Sequence, residues 1–200
     1  VQPNTAFIYA STKDVYGPHA AQYELVPETC PTDYSGHSAL EWSKLIGERY
    51  VEYYAQTRGF RAAIFRLSTV YAPLTEGNEP GFVGAYVDAV KFGTAVRLPA
   101  GEPRRDLLHV DDLAKACRAF IDSSVMLGTY NVGGGAENST SLRGLLAVIA
   151  SEMGVNAVID ETSPLPTPVP LNYLSDLTKV ETELGWSPEI GIAKGVKTLF

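Results

Sequence analysis

Cysteine is almost missing from this sequence. Cys30 and Cys117 are the only two in 200 residues, with no C-x-x-C spacing, and the three histidines (His19, His37, His109) do not cluster. Neither a zinc site nor a disulfide framework is indicated, and two buried or idle thiols are expected. Long apolar runs are missing as well: none approaches the roughly 20 residues that cross a bilayer. The opening VQPNTAFIYA lacks the basic start and long apolar core of a signal peptide, which points to a cytoplasmic protein with no membrane partner. Positive charge is in deficit, with 16 Lys and Arg against 23 Asp and Glu, a formal net charge of -7 and a pI near 5.0. Phosphate neutralisation needs clustered cations, so this balance excludes an electrostatic nucleic-acid or anionic-membrane binder. A small anionic ligand held by local cations stays open. Finally, no G-x-G-x-x-G or G-x-x-G-x-x-G string occurs, so the turn that brings backbone close to a pyrophosphate is not among these residues. Gly133, Gly134 and Gly135 follow a strand, but Asn138 stands where a further glycine is required; a tight turn is expected there.

What is present describes an ordinary globular chain. Hydrophobic residues make up 45% and charged residues 20%, with 18 glycines, enough for one domain with a sizeable core. FIYA at 7–10 reads as a strand that exits into the polar loop STKDVYG. From Ser38 to about Thr57, Trp42, Ile46, Tyr50 and Tyr53 recur at helical spacing, and Gly59 stands just past the end as a stop. RAAIFRLSTVY follows as a mostly apolar strand, and PLTEGNEPG as a loop. Strand, helix, strand is the order of a βαβ unit in a parallel sheet. Further helices are predicted near 82–92, 111–122, 141–153 and 175–184, separated by the strand-like VRLP, LLHV, TYNVG and AVID, with the proline-rich ETSPLPTPVPLN as a connector. Asp111 and Asp112 are expected to cap the helix after HV.

Ser11 and Thr12 follow directly on a strand. There a hydroxyl can point into the crevice at the carboxyl end of a parallel sheet or turn back on its own backbone. Lys44 reads as a helix lysine that could pair with Glu41 and Glu48 at i-3 and i+4.

Five stretches in order tip these choices: ASTKDVYG, SKLIGERYVEYYAQTRGFRAAIFRLSTVYAP, RRDLLHVDDLAKA, YNVGGG and SDLTKVETELGWSPEIGIAKGV. Together they resemble an extended short-chain dehydrogenase/reductase of the nucleotide-sugar epimerase/dehydratase branch. The resemblance runs over nearly all of the chain. It implies an α/β fold, the C-terminal part of a doubly wound (Rossmann-like) parallel sheet with an interleaved smaller α/β substrate lobe. The former would take about 1–75 and 107–133, the latter 76–106 and 134–200. It also implies NAD as cofactor, with NADP as the alternative, a nucleotide-diphospho-sugar as substrate, and a homodimer through helix 38–57. The glycine-rich turn would then lie upstream of FIYA, in a longer protein from which this chain is a part, or be absent from a reduced protein whose strand edge pairs with another chain.

In such enzymes a tyrosine takes the sugar hydroxyl's proton, a lysine lowers that tyrosine's pKa and holds the nicotinamide ribose, and a Ser or Thr binds the reacting oxygen. The resemblance puts the hydroxyl role on Thr12 and the lysine role on Lys44. Ser11 and Ser68 become cofactor contacts, and Thr69 and Arg105, with Arg104 beside it, substrate contacts. The tyrosine's position, one turn before Lys44, holds Leu40, which exchanges no proton. Tyr34 in DYSGHS is the nearest substitute, and His37 is seven residues from Lys44. Thr69 and Ala72 stand where relatives carry Asn and Gly. Lys13 and Asp14 replace the acid pair of the 4,6-dehydratases, which favours epimerisation or simple redox over dehydration. Two readings follow: an NAD-linked epimerase-type enzyme, or a non-catalytic protein of the same fold that binds ligand or assembles.

Overall fold

The computed structural model of the protein describes residues 5–33, 38–73, 79 and 81–200. Strands β1 (Ala6–Thr12), β2 (Arg61–Leu67) and β6 (Leu127–Val132) form a parallel sheet in the order β1-β2-β6, so that Thr12, Leu67 and Val132 end level with one another. Helix α1 (Ala39–Arg58) makes the crossover from β1 to β2. β2 alternates between two apolar faces, as a strand buried on both sides must. Ala62 and Ile64 meet Val51 and Ala55 of α1. Ala63 and Phe65 meet Leu108, Ala116, Phe120, Val180 and Trp186 on the other side. Among the described residues β1 has a partner on one flank only, and Phe7 on it is exposed.

The predicted α1 is present and stops at Gly59, whose left-handed φ of 69° lets its N–H bond the Ala55 carbonyl. Its orientation is the unexpected part. Trp42, Ile46, Tyr50 and Tyr53, the residues whose spacing announces the helix, lie on its exposed side, and the buried side carries Glu48, Val51 and Ala55.

RAAIFRLSTVY is two strands rather than one. Ser68 separates β2 from β3 (Thr69–Tyr71), which joins a second sheet ordered β3-β5-β7. In that sheet β5 (Arg104–His109) runs parallel to β3 and antiparallel to β7 (Ser139–Ser141). A third pair joins β4 (Val96–Pro99) to β8 (Ile159–Leu165), so part of the proline-rich connector is strand. Such a sequence is tolerated there because an edge strand leaves half of its N–H groups out of the ladder.

Helices α2 (Phe82–Lys91), α4 (Leu142–Met153) and α6 (Ile192–Val196) pack around a core of Val83, Val87, Leu145, Leu146, Ile149 and Val196. α3 (Val110–Asp122) and α5 (Thr178–Leu184) lie against the first sheet. α3 is capped by His109, whose Nδ1 accepts the Asp111 N–H, and not by Asp111 or Asp112. Asp112 is fully buried, where its Oδ2 accepts the N–H groups of Glu189 and Ile190. Two converging backbone donors there hold it more firmly than one cap contact would.

Candidate active site

The carboxyl ends of β1 and β2 carry the charged groups. Thr12, the last residue of β1, caps a 3-10 segment over Lys13–Gln22. Its hydroxyl accepts the Asp14 N–H at 3.2 Å and donates to Asp14 Oδ2 at 2.8 Å. Lys13 closes the other side of the same carboxylate, with Nζ on Oδ1 at 2.5 Å, and its ammonium lies 5.3 Å above the ring of Tyr173. Burial alone would raise the Asp14 carboxyl, but Lys13, Thr12 and the field of Arg105 together hold it below the ordinary range.

Arg105 reaches this cluster from β5. Its guanidinium donates to the carbonyls of Arg104 and Leu171, each at 2.7 Å, and of Pro170 at 3.0 Å. Burial lowers its pKa, and the nearby Asp14 and Asp106 work against that. It also lines a cavity of about 290 Å³ walled by Phe82, Tyr86, Pro99, Pro103 and Leu107. One residue in the lining of this apolar slot is thus an arginine.

Lys44 comes from α1. Its Nζ donates to the Ala10 carbonyl at 2.7 Å and lies 5.5 Å above the Tyr9 ring. The expected pairing with Glu48 does not form, because Glu48 is committed elsewhere. Both its oxygens face Arg66, with Nη2 to Oε2 at 2.7 Å and Nε to Oε1 at 3.1 Å, in a forked contact with almost no exposure. Ser11 donates to the same Oε1 at 2.5 Å. Arg66 continues to the Tyr16 hydroxyl at 3.2 Å, and Tyr16 donates to Asn131 Oδ1 at 2.6 Å. Burial pushes the Tyr16 phenol up despite the arginine beside it, so it stays protonated and serves as a donor. The chain from Ser11 to Asn131 ties α1, β1, β2 and β6 together.

Thr12, Asp14, Lys13 and Arg105 are therefore brought together. Thr69 lies half-buried at the start of β3, opposite Leu107 of β5. The hydroxyl protons of Ser11 and Ser68 are engaged by buried carboxylates: Ser68 donates to Asp106 Oδ1 at 2.5 Å. Leu40 is 53% exposed one turn before Lys44. Tyr34 and His37 lie outside the described residues. The sequence reading missed the Glu48–Arg66 pair, although a signal for it existed: an arginine inside the apolar run AAIFRL needs a partner, and Glu48 sits on the inner face of the helix between the two strands.

Solved structures share the fold. The crystal structure of UDP-glucose 4-epimerase from Thermotoga maritima with UDP-glucose matches at a TM-score of 0.80 and 25% identity, covering 96% of this chain and 61% of that one. A Methanocaldococcus jannaschii protein named "Putative UDP-glucose 4-epimerase" is 32% identical over 157 residues, which are 78% of this chain and 50% of the relative. The CDP-paratose 2-epimerase of Salmonella typhi is 26% identical over 98% of this chain and 64% of its own length. The chain thus spans between half and about two-thirds of the length of these three. The model of the NAD dependent epimerase/dehydratase family matches residues 2–133. That match covers β1 through β6 and every charged group gathered at their carboxyl ends, and the chain belongs to the NAD-dependent epimerase/dehydratase family.

Proposed function

We propose that this chain forms the substrate side of an NAD-linked enzyme that epimerises, or oxidises and reduces, the sugar of a nucleotide-diphospho-sugar. The observation that carries this reading is that Arg105 both lines the 290 Å³ apolar slot and lies in the field of Asp14, the carboxylate that accepts the Thr12 hydroxyl. An aromatic and proline-lined slot suits a nucleobase, a guanidinium suits a diphosphate, and a hydroxyl beside an ionised carboxylate suits a sugar oxygen. Thr69, opposite Leu107 on the neighbouring strand, is a second contact to substrate.

The residues present fit the nicotinamide half of the cofactor only. Lys44, held at the carboxyl end of β1, would bind the nicotinamide ribose; a pyrophosphate turn is not among these 200 residues. Bound NAD supplies a hydride acceptor, and NADP would serve the same chemistry. Thr12 orients the reacting oxygen, Arg105 fixes the diphosphate, and Ser11 and Ser68 act by holding Glu48 and Asp106 in place. Tyr34 is the proposed proton acceptor.

Calorimetric titration of the full-length protein with NAD and with UDP- and GDP-sugars should give binding of the cofactor and of one sugar nucleotide. Absence of both overturns the reading. Binding without turnover is the second reading, and Leu40 in the tyrosine position favours it. Turnover that appears only in Leu40→Tyr would establish that reading, whereas wild-type turnover abolished by Tyr34→Phe would make Tyr34 the base. The exposed aromatic side of α1 supports a homodimer through this helix. A strictly monomeric sedimentation profile of the full-length protein would refute it.

A further inference from the structure

We propose that Lys13 makes the site selective for a nucleotide sugar whose sugar carries an acidic group, such as the C6 carboxylate of a uronic acid. The proposal rests on the nucleotide-sugar reading above and specifies the substrate within it. Its ground is a local charge imbalance in a chain of opposite overall sign. The chain as a whole carries -7, yet the cluster at the carboxyl end of β1 holds three cations, Lys13, Lys44 and Arg105, against two acids, Asp14 and Asp106.

Each cation has a different situation. Lys44 is bound to the Ala10 carbonyl over Tyr9, on the α1 side. Arg105 is bound to three carbonyls of its own lobe and faces the apolar slot. Lys13 follows Thr12, the residue proposed above to bind the sugar oxygen, and its ammonium is held by Asp14 above the Tyr173 ring. Its side chain is only 16% exposed, against 41% for Asp14, and the ring beneath it is fixed by stacking on Tyr16 at 6.3 Å. This is a held cation and not a solvated surface lysine.

The one carboxylate it pairs with is divided. Asp14 also receives the Thr12 hydroxyl and lies in the field of Arg105, so it does not neutralise Lys13 alone. A part-buried ammonium with a shared counter-ion gains from a second anion, because attraction rises as water is excluded. A neutral sugar leaves that surplus in place, and an acidic sugar removes it. A third N–H of the ammonium, beyond those turned to Asp14 and the ring, supplies the directional bond.

The test measures dissociation constants by calorimetry on the full-length protein with NAD present. UDP-glucuronate is compared with UDP-glucose, and GDP-mannuronate with GDP-mannose, each pair differing only in the C6 carboxylate. In wild type the acidic member of the pair that binds should be at least tenfold tighter. Lys13→Met should reduce that ratio to within about twofold, and Lys13→Arg, which keeps the charge, should retain most of it. Equal affinity for both members in wild type, or a preference that survives in Lys13→Met, overturns the role of Lys13. Failure of all four compounds to bind wild type instead overturns the nucleotide-sugar reading on which the proposal rests.

Discussion

Two ion pairs stand at the carboxyl ends of neighbouring strands, and they differ in almost everything except charge. Glu48–Arg66 is sealed, with both side chains within a few per cent of zero exposure, bidentate, and surrounded by Ser11, Tyr16 and Asn131. Lys13–Asp14 is formed by chain neighbours, is partly open, and shares its carboxylate with Thr12 and Arg105. The sealed pair has every polar atom spoken for by the protein itself, so its role is to fix α1, and with it Lys44, against β1 and β2. The open pair shares its carboxylate with Thr12 and the field of Arg105, which is why the ligand is assigned to it. Burial together with full satisfaction separates charge used for architecture from charge left for chemistry.

Removing one partner of the sealed pair should give the largest effect. Glu48→Gln leaves the Arg66 charge, and Arg66→Met the Glu48 charge with its acceptors unmatched, uncompensated in the interior, at a cost of about 3–5 kcal/mol, measurable by urea unfolding. Glu48→Leu combined with Arg66→Met should cost less than the sum, because the charges leave together. It should not become neutral, because Ser11 loses its acceptor and Tyr16 a donor, about 1–3 kcal/mol each when buried. Lys13→Met should cost less than either single change in the sealed pair, because Asp14 is 41% exposed and keeps the Thr12 hydroxyl and the field of Arg105. A loss from Lys13→Met equal to that from Arg66→Met would erase the distinction between the pairs.

A smaller effect is expected where α1 touches β1. A Cβ at Gly47 would lie 2.0 Å from the Tyr9 hydroxyl and 2.4 Å from its Cζ. Gly47→Ala must therefore displace the ring on which Lys44 lies, at about 1–3 kcal/mol. Tyr9→Phe in the same background removes the closest atom and should recover part of the loss. If Gly47→Ala is silent in both unfolding and NAD affinity, the helix carrying Lys44 is not set by this contact.

These same residues mark how far the sequence could be read. α1 was legible because its apolar spacing and the glycine after it are local signals, yet the stripe that revealed the helix faces outward. Spacing reports that a face exists, not what covers it. The 3-10 segment Lys13–Gln22 was not legible. It buries Val15, Tyr16 and Ala20 around Gly17 at φ 52° and Pro18, a pattern with neither the 2 nor the 3.6 period. Asp112 was misread as a cap because its real partners, the N–H groups of Glu189 and Ile190, are some 77 residues away in sequence. Thr12, Lys44 and Arg105 were reachable through resemblance; their partners Asp14, Ala10 and the 170–171 carbonyls needed the fold. Leu40 was visible from the start, whereas Tyr34 lies outside the described residues.

The smallest effect concerns pH and belongs to the open pair. Burial pushes the Asp14 carboxyl up, but the Lys13 ammonium, the Thr12 hydroxyl and Arg105 outweigh it and hold the folded-state pKa below the unfolded value of roughly 3.9. A depressed acid contributes stability that is present above the unfolded pKa and is lost as pH falls through the folded one. The contribution should therefore be complete at neutral pH and fade below about pH 4. Because the side chain is 41% exposed, solvent screening keeps it under about 1 kcal/mol. Asp14→Asn should cost that amount near pH 7 and nothing near pH 2, read from urea midpoints across the range. A mutant that is equally destabilised at both ends would mean that Asp14 matters through shape, as the sealed pair does, and not through a charge it shares with Lys13, Thr12 and Arg105.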